Sequence, residues 1–247
     1  MTAFSLKNYK AIIFDLDSTL TDTHRYPLRA AMWLLEKTVD DVDAVAEEYV
    51  SHLVANYRKG LKEIIEGAEY SAPYDVVKRA MRESLEAMNL AVDPGVVEEG
   101  TRLFRWLHVE TSTAYPGTEE LLTKLHESAL LLGAVTNSFE NHIQLILSKL
   151  NLLHFFKCIV DAGDVKAYKP MPQPFQQVIQ CLGATAKDCL FVGDEFYADI
   201  VGATSLGIDA IWINNRNADL PQMLEKYGAQ SQPRLVVDSI ATLLDFL

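Results

Sequence analysis

The sequence predicts an α/β fold: a parallel sheet flanked by helices, interrupted after its first strand by an all-helical insert. Three observations carry this. From residue 116 onward, short apolar runs alternate with amphipathic stretches. The runs are apolar on both faces, as strands covered by helices on both sides must be. Residues 24 to about 112 lack such runs and instead repeat apolar residues at i, i+3 and i+4, the helical period.

Taken in order, "KAIIFDLD" (10–17) reads as a buried strand. Four helical stretches follow, at 26–38, 40–67, 73–89 and 93–110, with Pro27, Pro73 and Pro94 near helix starts, where proline is tolerated. "AYPGTEELL" (114–122) returns the chain to the α/β pattern. Strands are predicted at 129–136, 157–162, 189–194, 209–214 and 234–239, and helices at 140–153, 173–183, 197–207 and 220–228, with 239–247 completing the pattern. The domain organisation expected is an α/β core from 1–22 and 113–247 and a helical insert at 23–112. The core is Rossmann-like in its layering, and ligands of such sheets bind outside the carboxyl ends of the strands. The insert leaves from that edge, so a lid role is expected of it.

The 247 residues are 49% hydrophobic and carry a formal net charge of −12, from 22 basic and 34 acidic residues. Nucleic-acid binding is not expected, because phosphate contacts need clustered Lys and Arg. The apolar run 11–14 is too short for a signal peptide, and no stretch approaches the roughly 20 apolar residues of a membrane span. The cysteines, Cys158, Cys181 and Cys189, are odd in number and lack CxxC spacing. A disulfide framework or zinc site is therefore not expected, and a reduced cytoplasmic setting is.

The strand ends concentrate the chemistry. The first closes on Asp15-Leu16-Asp17, another on Thr136-Asn137-Ser138, and a third on Gly193-Asp194 with Asp199 five residues on. Lys166 and Lys169 precede the helix at 173–183. Crowded carboxylates cannot all stay ionised without a counter-charge. A hard divalent cation with oxygen ligands supplies one, and Mg²⁺ suits a phosphate-handling site. A Thr hydroxyl and main-chain N–H groups can hold phosphate oxygens.

"DLDSTLTD" (15–22), "VTNS" (135–138), "KAYKPMPQPF" (166–175) and "VGDEFYADIVGA" (192–203) resemble, in order, the four motifs of the haloacid dehalogenase superfamily. The resemblance spans nearly the whole chain and is specifically to phosphatases with a helical, C1-type cap. It implies a phosphomonoesterase acting on a small phosphorylated metabolite through an aspartyl-phosphate. Asp15 would be the nucleophile. Asp17 would be the general acid and then the base, and it separates this chain from the dehalogenases, which lack that second Asp. Thr136 would bind the phosphoryl group, helped by the Asn137 backbone N–H. Lys169 would neutralise Asp15 and the phosphoryl oxygens; Lys166 is its rival, but Lys169 has the proline the motif demands after it. Mg²⁺ would be held by Asp15, Asp194 and the Asp17 main-chain carbonyl. Asp199 would reach the metal through water or position Lys169, and Glu195 stands where relatives often carry Ser.

The cap would select the substrate and exclude water. His24, Arg25, Tyr57, Arg58 and Lys59 are its candidate contacts. "NYRKG" (56–60) offers two cations and a glycine at a helix break, readable as an anion clamp or as a solvated helix face. His24 reads as a surface residue, and Trp33, Phe104 and Trp106 as core. Two other functions use similar residues: a phosphomutase of the same superfamily and a non-enzymatic phospho-aspartate switch. Oligomeric state is not readable from these features.

Overall fold

The computed structural model describes residues 4–23 and 25–247. Strand β1 (Ala11–Phe14) is buried along its whole length. A strand with no polar face belongs inside a sheet, and β1 pairs in parallel with β4 (Leu131–Thr136) on one side and β6 (Cys189–Gly193) on the other. β5 (Cys158–Asp161) extends the sheet beyond β4, and β7 (Asp209–Ile213) and β8 (Leu235–Val237) extend it beyond β6. The order is β5-β4-β1-β6-β7-β8, parallel throughout, as the apolar runs predict. The chain fills one side of β1 before crossing to the other, so the carboxyl ends of β1 and β6 flank a topological switch point.

The chain divides into two compact units: residues up to Asp22 with Thr113–Leu247, and Thr23–Ser112. It leaves and re-enters the first unit through a short antiparallel pair, β2 (Thr21–Asp22) and β3 (Thr113–Ala114).

Helices of the first unit are α5 (Thr118–Glu127), α6 (His142–Lys149), α7 (Ala162–Val165), α8 (Pro172–Leu182), α9 (Gly202–Ser205) and α10 (Leu220–Tyr227). On one face of the sheet, Phe175, Val178 and Leu182 of α8 pack with Ile13, Val135, Phe191 and Trp212. Burying each such side chain contributes about 1.5–3 kcal/mol relative to exposure. Gly133 in β4 lets α8 approach: a Cβ there would lie 2.8 Å from Val178 Cγ2. The single helix predicted at 197–207 is a π-helical turn, Phe196–Val201, followed by α9. Such turns collect at functional sites, and this one begins just after the end of β6.

Among the described residues, the second unit holds four helices: α1 (Tyr26–Glu36), α2 (Ala46–Ile65), α3 (Pro73–Ala87) and α4 (Pro94–Thr111). Prolines occupy the first turns of α1, α3 and α4, and Asp93 caps α4 by accepting from the Gly95 and Val96 N–H groups. Two sequence expectations are corrected here. Gly60 does not break a helix. It is buried inside α2, where a Cβ would lie 3.2 Å from Val76 Cγ1 of α3, so its role is close helix packing. Trp106 is not core. It is 57% exposed, whereas Phe104 is buried and Trp33 half-buried. Residues two apart on a helix lie about 200° apart around its axis, so Phe104 and Trp106 cannot share one face.

The cysteine expectation is also corrected. Cys158 and Cys181 are joined by a disulfide, with Cα atoms 6.1 Å apart, and Cys189 alone is free. The pairing follows from tertiary structure: α8 packs on β4 and β5, bringing its last turn beside the start of β5. Spacing along the chain carries no sign of that. Cysteine usage therefore gives no argument for a reducing compartment. No helix among the described residues is long and apolar enough to cross a membrane.

Candidate active site

Asp15 follows the last residue of β1, and its N–H donates to the Val192 carbonyl of β6 at 2.9 Å. Its carboxylate is buried and meets Lys169: Nζ donates to Asp15 Oδ1 at 2.5 Å and to the Val135 carbonyl at 3.0 Å. The same ammonium lies 2.8 Å from Asp199 Oδ1 and 5.5 Å from the Phe191 ring centroid. Lys169 is almost wholly buried and stands at this edge, whereas Lys166 is exposed just after α7.

The Lys169 backbone is held by a side chain. Asn137 Oδ1 accepts from the Lys169 N–H at 2.7 Å, and Asn137 Nδ2 donates to the Lys169 carbonyl at 3.0 Å. Thr136, the last residue of β4, is buried, and its Oγ1 accepts from the Ser138 N–H at 3.1 Å. Asn137 is thereby fixed beside Lys169 through a two-bond clamp, and Thr136 is held by the turn that follows it.

Asp194 and Asp199 are brought together by the π-helical turn. The Glu195 N–H donates to Asp199 Oδ2 at 3.0 Å, and the Asp199 N–H donates back to the Glu195 carbonyl at 2.8 Å. Gly193 is required by this proximity, because any Cβ on it would collide with the Asp199 carboxylate. The Asp194 carbonyl accepts from Trp212 Nε1 at 2.9 Å, tying the end of β6 to β7.

Asp17 lies in the turn after β1 and is half-buried, more open than Asp15. That turn is cinched by Thr21, whose N–H and Oγ1 both donate to the Leu16 carbonyl, at 3.0 and 3.1 Å. Ser18 adopts a left-handed conformation, with φ 62°, to close it.

Oxygen atoms of Asp15, Asp194 and Asp199 lie within 4.8 Å of one another. An all-carboxylate donor set of this size suits a hard divalent cation such as Mg²⁺ and not a thiophilic metal. Asp199 Oδ1 reinforces the fit: it is buried and takes no aligned hydrogen bond, only the ionic contact with Lys169. The Asp17 carboxylate is not in this group.

The electrostatics follow from crowding. Burial first, and then the charges of Asp199, Asp194 and Asp17, raise the Asp15 carboxyl well above the ordinary carboxylate range against the pull of Lys169. Burial and Asp199 push Asp194 up to about 7. Burial alone would lower Lys169, but Asp15 and Asp199 outweigh it and hold the ammonium protonated.

Sequence reasoning missed Arg216. It follows β7, and its Nη2 lies 2.8 Å from Asp194 Oδ2 while Nη1 lies 3.1 Å from Glu195 Oε2. The signal was available: "WINNR" (212–216) is another apolar strand running into polar residues at the same sheet edge. Of the cap candidates, Tyr57 is half-buried and Arg58 and Lys59 are exposed on α2, with Lys59 Nζ 4.0 Å from Glu63 of its own helix. Arg25 immediately precedes α1, and His24 lies outside the described residues.

The family model described as haloacid dehalogenase-like hydrolase matches residues 9–207, which include every strand end of this site except that of β7. The chain belongs to the haloacid dehalogenase-like hydrolase family. It is 27% identical over 98% of its length to phosphoglycolate phosphatase of Pseudomonas syringae, covering 80% of that protein. It is 26% identical over 96% of its length to glyceraldehyde 3-phosphate phosphatase of Methanothermobacter thermautotrophicus, covering 99% of it. The crystal structure of the HAD-hydrolase YfnB from Bacillus subtilis bound to magnesium has the same fold, with a TM-score of 0.75 at 22% identity, covering 96% of this chain and 98% of that one.

Proposed function

We propose that this haloacid dehalogenase-like hydrolase is a Mg²⁺-dependent phosphomonoesterase of a small phosphorylated metabolite, working through an aspartyl-phosphate on Asp15. One observation carries the reading: Lys169 bridges Asp15 and Asp199 from a buried position, beside a carboxylate set that fits a divalent cation. Relatives named as phosphatases of phosphoglycolate and glyceraldehyde 3-phosphate support the substrate class.

In this mechanism Asp15 attacks phosphorus in line with the leaving oxygen. A bond forms between an Asp15 oxygen and phosphorus as the bond from phosphorus to the leaving oxygen breaks, and Asp17 protonates the departing alkoxide. Asp17 then accepts a proton from water as the water attacks the phosphorus of the aspartyl-phosphate, releasing inorganic phosphate and free Asp15. The half-open position of Asp17 suits a group that exchanges protons twice per cycle, and the deeper burial of Asp15 suits a nucleophile kept from water. Lys169 neutralises Asp15 and the transferring oxygens. Thr136 and the Asn137 N–H hold the phosphoryl group. Asp15, Asp194 and the Asp17 carbonyl would hold Mg²⁺, with Asp199 ligating or positioning Lys169. The ion would neutralise negative charge on the phosphoryl oxygens. The helical unit 23–112, with Arg25, Tyr57, Arg58 and Lys59 as candidate contacts, is assigned substrate selection.

The test is hydrolysis of a panel of metabolite phosphates with Mg²⁺ or a chelator, for the wild type and Asp15→Asn. Both chelation and the substitution should abolish turnover. Undiminished activity in Asp15→Asn would overturn the mechanism. Asp17→Asn should lose turnover while keeping metal affinity. A loss of affinity matching that of Asp194→Asn would overturn the carbonyl-only role of Asp17.

A further inference from the structure

The acidic cluster is met by two cations of different kinds. Lys169 is buried with three oxygen partners and cannot leave without stranding charge. Arg216 enters from outside: its side chain is 53% exposed, while the Asp194 carboxylate it touches is 4% exposed. About half of the Arg216 side chain is therefore already in solvent while its charge meets a buried carboxylate.

The guanidinium fork spans two carboxylates, one nitrogen to each. Asp194 Oδ2 accepts at 2.8 Å and Glu195 Oε2 at 3.1 Å. The Glu195 side chain is half-exposed, so Arg216 keeps a surface partner if it gives up Asp194. The loop carrying Arg216 is fixed without its side chain. The Asn214 N–H donates to the Val237 carbonyl at 2.7 Å, Asn214 Oδ1 accepts from the Ala218 N–H at 2.8 Å, and Asn214 Nδ2 donates to the Ala218 carbonyl at 2.8 Å. Asn215 Nδ2 donates to the Ser18 carbonyl at 3.1 Å, holding the loop to the turn that carries Asp17. A swing of the Arg216 side chain therefore leaves the backbone in place.

The oxygens of Asp194 are unequally engaged. Oδ1 has a Thr19 hydroxyl at the 3.5 Å limit of a hydrogen bond, whereas Oδ2 holds the short charged contact. A divalent ion on Asp194 would compete with Arg216 for the carboxylate's charge and be repelled by the guanidinium beside it.

We propose that Arg216 is a displaceable internal counter-ion: it occupies Asp194 in the metal-free protein, swings toward Glu195 when a divalent cation binds, and sets the metal affinity of the site. This rests on the reading of Asp15, Asp194 and Asp199 as a metal site. Arg216 is a positioning residue in this scheme and touches no reacting atom.

The experiment is calorimetric titration of Mg²⁺, with Mn²⁺ as a second probe, into the full chain at about pH 8.5, well above the ordinary carboxylate range. Wild type, Arg216→Gln and Arg216→Lys are compared, with circular dichroism confirming the fold of each. Arg216→Gln should bind Mg²⁺ more tightly on the order of ten-fold, the equivalent of one charge-assisted hydrogen bond. Arg216→Lys, which keeps the charge and loses the fork, should fall between the two. Unchanged or weaker affinity in Arg216→Gln, with wild-type binding intact, would overturn the counter-ion role. Absence of Mg²⁺ binding in the folded wild type would instead overturn the metal-site reading, and this proposal with it.

Discussion

The Asn137 side-chain amide pairs with both backbone groups of Lys169, accepting its N–H at 2.7 Å and donating to its carbonyl at 3.0 Å. The pair lies 32 residues apart in the chain, and the amide supplies Lys169 the two bonds a neighbouring strand would otherwise provide. The Lys169 ammonium is thus aimed at Asp15 by a residue that does not touch Asp15.

Asn137→Ala should therefore impair the site through Lys169. Two hydrogen bonds to partly buried backbone are lost, at about 0.5–1.5 kcal/mol each, and the lysine backbone is left without its partner. We expect turnover to fall on the order of 10- to 100-fold, as for other supports of reactive groups. KM for a phosphate ester should change less than kcat. Urea denaturation and steady-state kinetics check the two effects. Asn137→Asp restores the acceptor but not the donor and should recover only part of the loss.

Gly193→Ala should act through Asp199. The added methyl collides with the Asp199 carboxylate, so either β6 shifts or Asp199 leaves Lys169 and the Glu195 N–H. Overpacking of this kind costs about 1–3 kcal/mol of stability. Mg²⁺ affinity should fall as well, because the carboxylate spacing is disturbed. A variant with wild-type melting temperature and metal affinity would show that Gly193 is not held by this contact.

The contrast between Gly193 and Asn137 shows what the chain discloses by itself. Apolar runs ending at Asp15, Thr136 and Asp194 were legible because strand burial and strand ends are local patterns. The parallel sheet followed from the same runs. The backbone N–H of Asn137 is readable from its place at a strand end, while its side-chain clamp depends on how the end of β4 meets the segment that carries Lys169. The strand at 209–213 places Arg216 at the sheet edge, but its contact with Asp194, like the Cys158–Cys181 bond, joins elements that are distant in sequence and leaves no local pattern. The exposure of Trp106 has a local cause: it stands two residues from Phe104 on α4, so the two side chains point in different directions.

The disulfide should contribute measurable stability. It closes a 23-residue separation that contains Lys169 near its middle, and loop-closure entropy puts the effect of a bridge of this span at about 3 kcal/mol. The Cys158→Ser, Cys181→Ser double variant should lose about that much in guanidinium denaturation. Thiol titration of the denatured, unreduced protein should find the single free cysteine, Cys189, and all three after reduction. Three thiols before reduction would show that the bridge does not form under the conditions used.

The pH dependence of the metal-free protein should run opposite to that of a protein held by ion pairs alone. Burial and Asp199 lift Asp194 from an ordinary 3.8 to about 7. Between these values the native state keeps a proton that the unfolded chain has released. Stability changes with pH in proportion to protons bound by the unfolded state minus those bound by the native state. That difference is negative here, so the Asp194 contribution declines as pH rises through the window and levels off above about 7. Asp15, also raised, acts in the same direction. Other carboxylates such as Asp188 are lowered and contribute the reverse slope at more acidic pH. The profile of wild type minus Asp194→Asn, followed by thermal denaturation in chelator, isolates the one group. A cation that binds only the ionised carboxylates releases these protons, so its apparent affinity should rise with pH through the same window and saturating Mg²⁺ should remove the decline. A difference profile that instead rises with pH would mean that Asp194 is stabilised as the anion without metal, with Arg216 outweighing burial.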